Sequence, residues 1–224
     1  MGRTIERHTP AVEDYAKAIY ALQERADGPV STTALAERLG VSVASASGMV
    51  KRLGEIGLAD HERYKGVELT ETGRAVALEV IRHHRLLELL LAELGVPWDR
   101  VHDEAEVLEH HISEELEALI AARLGDPTHD PHGDPIPAVD LSVEEGTTSS
   151  LDELAPGDGG LFVRVSDSDP AMLRYLSDLG LAPGERLELI GREPFEGPLV
   201  VRFSGSEHPL GLALARAMRI EVDR

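Results

Sequence analysis

The run Thr32-Thr33-Ala34-Leu35-Ala36-Glu37-Arg38-Leu39-Gly40-Val41-Ser42-Val43-Ala44-Ser45-Ala46-Ser47-Gly48-Met49-Val50-Lys51-Arg52-Leu53 leaves a chain few folds to adopt. Small Ala36 lets two helices approach closely, Gly40 makes the turn, Ser42 can cap the next helix, and Ala46, Met49, Val50 and Leu53 share an apolar face. Ahead of this run, Thr9-Pro10 is a helix start, with Val12, Tyr15, Ile19 and Leu22 at helical spacing before the Asp27-Gly28-Pro29 turn. Behind it, Leu58 to Leu69 reads as two short strands around a Lys65-Gly66 turn. Three helices and a hairpin make a winged helix-turn-helix, assigned to residues 1–73. In such a module the last helix lies in the major groove of double-stranded DNA. Ser42, Ala44, Ser45, Ser47 and Gly48 would face the bases, with Lys51, Arg52 and the hairpin-tip residues Arg63 and Lys65 near phosphates. These small side chains exclude most bidentate base contacts, so specificity would lean on methyl contacts, DNA shape and dimer spacing. A winged helix that serves only as a protein adaptor is the alternative.

Charge makes that reading demanding. The 224 residues hold 22 basic and 41 acidic side chains, a net charge of −19, so affinity for a polyanion must come from local placement. Zero cysteines exclude disulfides and thiolate metal ligation and are compatible with a reducing compartment. The first ten residues contain no apolar signal region, and no apolar run approaches the ~20 residues of a membrane span. A cytoplasmic protein with no membrane partner is the expectation.

Two helices that follow the winged helix carry acidic and imidazole side chains at spacings that align them. His84 and Glu88 are four residues apart, and His102, Glu106, Glu109 and His110 follow in steps of four, three and one. Clustered imidazole and carboxylate suit a divalent cation. A single His or Glu on an amphipathic helix is ordinarily solvated, and it is the six-residue set that argues for metal. His83 and His111 fall off the two stripes and are expected in solvent. His129 and His132 are expected to shape turns. A dinuclear hydrolase or oxidase is the reading from another class. It lacks support because no Glu-x-x-His pair occurs and no nucleophile or acid/base pair stands beside the cluster. An enzyme with a small organic substrate is therefore not expected.

Residues 74–125 form a helical module, where Leu78, Ile81, Leu86, Leu89, Leu90, Leu91 and Leu94 exceed one narrow stripe and suggest a dimer helix. Gly95 and Pro97 stop that helix, a second carries Val101, Ala105, Leu108 and Ile112, and Ser113 begins a third. Residues 126–150, rich in Pro, Ser and Thr, read as a linker. Residues 151–224 show short strands at Leu161–Val165, Leu187–Ile190, Leu199–Phe203 and Ile220–Val222, with a helix from Pro170 to about Gly180. The expected fold class is mainly α with a small C-terminal β-barrel.

The order of winged helix, His84-Arg85-Leu86-Leu87-Glu88, Val101 to His110, Pro131-His132-Gly133-Asp134-Pro135-Ile136-Pro137 and terminal barrel resembles the diphtheria toxin repressor family over nearly the whole chain. The resemblance implies a homodimeric, metal-activated transcriptional repressor with an SH3-like barrel and two metal sites per subunit. It implies an ancillary site of His84, Glu88 and His102 with help from Asp169, for which Asp167 is a near substitute. It implies a primary site of Asp14, Glu106, Glu109 and His110. Iron-responsive members place methionine at the position of Asp14 and cysteine at that of Glu106, whereas manganese-responsive members place carboxylates at both. Manganese(II) is the weakest binder of its series, so selecting it calls for a hard, oxygen-rich site. Mn(II), with Fe(II) as runner-up, is the expected cofactor. Short manganese sensors of the family also carry a glutamate three residues after the aspartate. Here that residue is Lys17, whose ammonium could salt-bridge to a site carboxylate. Metal joining Asp14 to the dimer module would set the spacing of two recognition helices on a palindromic operator of metal-uptake genes.

Overall fold

The computed structural model describes residues 8–24, 28–62, 66–144 and 146–223. Helix α1, Pro10–Gln23, begins as its sequence requires: Thr9 is extended at the N-cap and the proline occupies the first turn, where a missing amide costs nothing. Helix α2, Thr32–Leu39, is capped by Ser31 and closed by Gly40 at φ +64°, a left-handed conformation that glycine adopts without strain. Helix α3, Val43–Glu55, is capped by Ser42, whose hydroxyl accepts from the Ser45 amide. The strands β1, Ala59–Glu62, and β2, Gly66–Leu69, pair antiparallel from Ala59 opposite Leu69. Ile19 of α1, Leu35 of α2, Ala46, Val50 and Leu53 of α3, Leu58 and Val67 form one core. Arg63 and Lys65, assigned to phosphate contact, lie outside the described residues.

Helix α4, Glu71–Glu93, follows, then α5, Val101–Leu108, and α6, Glu114–Arg123. The sequence suggested that Glu109 and His110 continue the α5 stripe, but the helix stops at Leu108 and they occupy the turn after it. Ser113 is extended at φ −95°, ψ 158° so that its hydroxyl can accept from Leu116 and cap α6, which keeps α5 and α6 from merging into one helix.

The remaining elements are β3 (Ser149–Ser150), β4 (Gly159–Val165), α7 (Pro170–Leu179), β5 (Arg186–Arg192), β6 (Leu199–Phe203), β7 (Ser206–Leu210), α8 (Leu212–Ala217) and β8 (Met218–Val222). Among the described residues they form an antiparallel six-stranded sheet in the order β3-β8-β4-β5-β6-β7, around Phe162, Leu173, Leu189, Val201 and Ile220. The expected barrel is corrected here: the sheet is open, with β3 and β7 as its edges. Strand β7 escapes sequence reading because Pro209 and three polar residues spoil its alternation, and an edge is where a strand tolerates proline. No helix among the described residues is long and apolar enough to cross a membrane.

The chain forms two compact units. One comprises residues through His83 with Glu109–Ile112 and Pro137–Ser142; the other comprises His84–Leu108, Ser113–Ile136 and Val143 onward. The boundary falls inside α4. Each unit holds a cluster of candidate ligands.

Candidate metal centre

In the first unit, α1 presents Glu13, Asp14 and Lys17, and the turn after α5 presents Glu109 and His110. His110 Nε2 lies 2.9 Å from Asp14 Oδ1 and 3.4 Å from Glu109 Oε1, and its Nδ1 lies 2.6 Å from Glu13 Oε2. Lys17 Nζ donates to Glu109 Oε1 at 2.6 Å, the ion pair suggested for it above. Glu109 is fully buried. Burial opposes the charge on His110, yet hydrogen bonds to Asp14 and Glu13 outweigh it and push the imidazole up to about 9. His83, expected in solvent, is buried, with Nδ1 3.2 Å from the Glu109 carbonyl oxygen. His111 is exposed.

In the second unit, the α4 pair His84 and Glu88 meets His102 of α5. His84 Nε2 is 3.0 Å from Glu88 Oε1 and 3.1 Å from His102 Nδ1, and His102 Nδ1 is 3.0 Å from Asp167 Oδ2 and 3.4 Å from Glu88 Oε1. Asp169 does not join this group. Its carboxylate caps α7 by accepting from the Ala171 amide, so Asp167 takes the place proposed for it. Glu106, assigned to the set with Asp14, Glu109 and His110, stands 3.8 Å from both His84 and His102. It follows the α5 helix, whereas Glu109 and His110 lie beyond that helix's end.

Residues 126–137 contribute what the sequence did not reveal. His132 is fully buried; its Nε2–H donates to the Trp98 carbonyl at 2.9 Å, and its Nδ1 sits 3.6 Å from Glu88 Oε2. Asp130, also buried, accepts from the amides of His132 and Asp134 and shapes the turn that carries them. Gly133 holds φ +87°, and a Cβ built there would lie 1.8 Å from the Val163 carbonyl oxygen. Only glycine fits. His129, by contrast, is exposed beside Thr128.

Burial works to raise the Glu88 carboxyl, but the imidazoles of His102, His132 and His84 more than reverse it and hold it well below the usual carboxylate range. Hydrogen bonding to Asp167 and Glu88 lifts His102 to about 10, and His132 rises against its burial to about 9 beside Glu88 and Asp130. Desolvation raises Asp130 and Asp134. Each raised imidazole therefore stabilises the fold fully below about pH 6.5, the unfolded value, and that contribution fades as pH climbs through 9 to 10. Glu88 and Asp167, held low, stay ionised over this window and add no slope. Ionisation of Asp130 and Asp134 at rising pH acts in the same direction as the histidines. The urea midpoint of chelator-stripped protein should fall steadily between pH 6.5 and 10, and a flat profile would mean the imidazoles are neutral there.

The donor chemistry fits a divalent cation. In the second cluster four potential ligand atoms, one each from His84, Glu88, His102 and Asp167, lie within 4.8 Å of one another. Several are separated by 3.0–3.4 Å, the edge expected when adjacent ligands sit at right angles on bonds of about 2.1–2.4 Å. Among the described residues, Glu88 Oε2 and His132 Nδ1 are buried without a hydrogen-bond partner, an arrangement costly unless something else satisfies them. Asp14, Glu109 and His110 form a comparable triple, as do Glu88, Asp130 and His132.

Comparison with known proteins matches each module in turn. Residues 8–67 fit the N-terminal DNA binding domain of iron dependent repressors, residues 70–138 their metal binding and dimerisation domain, and residues 149–222 the FeoA domain. The iron-dependent repressor IdeR of Mycobacterium tuberculosis is 34% identical over 222 residues, covering 93% of this chain and 96% of that protein. The diphtheria toxin repressor of Corynebacterium diphtheriae is 32% identical over 229 residues, covering 93% and 96%. A manganese-dependent transcriptional repressor solved in complex with manganese superposes with a TM-score of 0.86 at 45% identity, covering 93% of this chain and 98% of that one. With similarity running through all three modules, the chain belongs to the diphtheria toxin repressor family of metal-dependent transcriptional repressors, which are DNA-binding regulators and not enzymes.

Proposed function

We propose that the protein is a manganese-activated repressor that binds palindromic operators as a homodimer in the cytoplasm and controls metal-uptake genes. The observation that carries the choice of metal is the donor set. Asp14, Glu109 and His110 offer carboxylate and imidazole only, as do His84, Glu88, His102 and Asp167, and the chain has no cysteine. A hard set of this kind suits Mn(II), which cannot win on raw affinity. An iron-dependent repressor of the same fold is the second reading, favoured by the name of the mycobacterial relative. We assign two metal sites per subunit. The first comprises Asp14, Glu109 and His110, with Glu106 kept as a candidate ligand; the second comprises His84, Glu88, His102 and Asp167, with His132 and Asp130 beside them.

A bound divalent ion supplies positive charge and shared coordination to carboxylates that otherwise repel one another. The chain supplies the placement. Helix α1 packs through Val12, Tyr15, Ala16 and Ile19 into the core that also holds Ala46, Val50 and Leu53 of α3, so whatever fixes Asp14 also fixes the helix on which the recognition helix rests. On α3, Ser45, Ser47, Gly48, Lys51 and Arg52 are exposed, as the groove contact assigned to them requires. Exposed Leu94, Val107, Leu108, Leu116 and Leu119, on or beside α4 to α6, suit a dimer face. Protons must leave His102, His110 and His132 before their lone pairs are offered, so apparent metal affinity rises over the pH range given above. The third module, an SH3-like fold in this reading, braces the second cluster through Asp167.

The test is selection of genomic DNA fragments by chelator-stripped protein with Mn(II), with anaerobic Fe(II) and without metal, followed by anisotropy titration of the enriched fragments. A palindrome enriched by Mn(II), with binding at least ~5-fold tighter than without metal, is expected. Equal response to Fe(II) would remove the manganese assignment, and enrichment without metal would remove metal activation.

A further inference from the structure

The cluster on α1 already contains a cation. Glu109 is fully buried and carries a charge that would be stranded without a partner, and Lys17 Nζ reaches its Oε1 at 2.6 Å. That same oxygen lies 3.4 Å from His110 Nε2, which lies 2.9 Å from Asp14 Oδ1. Lys17 therefore caps an oxygen of the triple assigned to metal, rather than a remote corner of the carboxylate. It comes three residues after Asp14 on the same helix, so both side chains leave one face of α1. The Lys17 side chain is 18% exposed, and its flexible four-carbon stem gives the ammonium a route to water.

We propose that Lys17 is a built-in competitor at this site: its ammonium neutralises Glu109 in the metal-free chain and must withdraw before a divalent cation is held there. The proposal rests on the reading that Asp14, Glu109 and His110 hold metal. Two effects follow from one side chain. Lys17 keeps the metal-free cluster folded, where Glu13, Asp14 and Glu109 would otherwise crowd three negative charges around His110. It also opposes occupancy, because an ammonium and a divalent ion repel each other at the same carboxylate. The concentration at which the site fills is thus set higher than its ligands alone would set it.

The experiment is titration of Mn(II) into chelator-stripped full-length protein by calorimetry, with urea unfolding of each variant in the absence of metal. Lys17→Met should bind Mn(II) at this site about tenfold tighter, while its metal-free form unfolds at lower urea than the parent. Lys17→Arg, which keeps the charge, should stay within about threefold of the parent affinity. Unchanged affinity in Lys17→Met would make Lys17 a bystander, and weaker affinity would make it a support for the ligands; either overturns the proposal. Should Lys17→Met fail to fold, Lys17→Gln is read by the same criteria. Asp14→Asn identifies the titration step that belongs to this site. If that step survives Asp14→Asn, the site assignment itself falls. If it disappears while Lys17→Met does not tighten binding, only the competitor falls.

Discussion

Alanine at position 133 should destabilise the metal-free protein by more than about 4 kcal/mol, at the high end of what single substitutions do. Two faults combine there. The backbone sits at φ +87°, which costs a non-glycine residue roughly 1–3 kcal/mol. The added Cβ would also stand 1.8 Å from the Val163 carbonyl oxygen, a backbone atom that no rotamer change can move. The segment is pinned to β4 by the Val165 amide donating to the His132 carbonyl at 2.9 Å, so relief means pulling His132 out of its place beside Glu88. The expected result is a large drop in urea midpoint together with weaker metal binding at the second cluster. A loss under about 1 kcal/mol would show that residues 126–137 peel from the sheet easily and that His132 is not held as described.

Glu88→Ala should be nearly as damaging, with a loss of about 3–5 kcal/mol near neutral pH, because a buried charge that serves three imidazoles is removed. Glu88→Gln separates charge from packing. It preserves shape but withdraws the negative charge that helps lift His102 to about 10 and His132 to about 9. In a histidine NMR titration of the metal-free protein, His132 should move down towards about 6.5, the ordinary imidazole value. His102 should fall less, since Asp167 remains at 3.0 Å. Calorimetry should show one metal ion fewer per chain. An unmoved His132 would assign its high value to Asp130 and the Trp98 carbonyl instead of Glu88.

What sequence reading recovered follows the reach of local rules. The capping Ser42 and the Gly40 turn act within a few residues, so the helix-turn-helix is visible in the chain itself. His84, Glu88 and His102 are grouped in the structure as the family resemblance implied, and α4 and α5 are regular where they sit. Glu109 and His110 leave the helical spacing of Glu106 because α5 ends at Leu108 and they lie in the turn beyond it. The Asp169-Pro170 pair carried a readable signal, since an acidic residue before a helix-starting proline is a cap, and that role leaves Asp167 for the cluster. His132 and Asp130 had no periodic signal at all. They are brought in by a Pro- and Gly-containing turn, and a glycine between a histidine and an aspartate gives no hint that a carbonyl from β4 will pass so close. The open sheet was hidden for a similar reason: closure depends on pairing between distant strands, which alternation within each strand does not encode.

The exposed β7 edge bears on how the protein keeps from associating strand to strand. An unpaired strand edge is a template for other strands and invites self-association through it. Pro209 has no amide hydrogen to offer a newcomer, and its carbonyl already accepts from the Tyr175 hydroxyl at 3.2 Å. Glu207, held by Arg202 at 2.7 Å, keeps a charge on the same strand. The residues that hid β7 from pattern reading thus guard the chain against fibre-like aggregation.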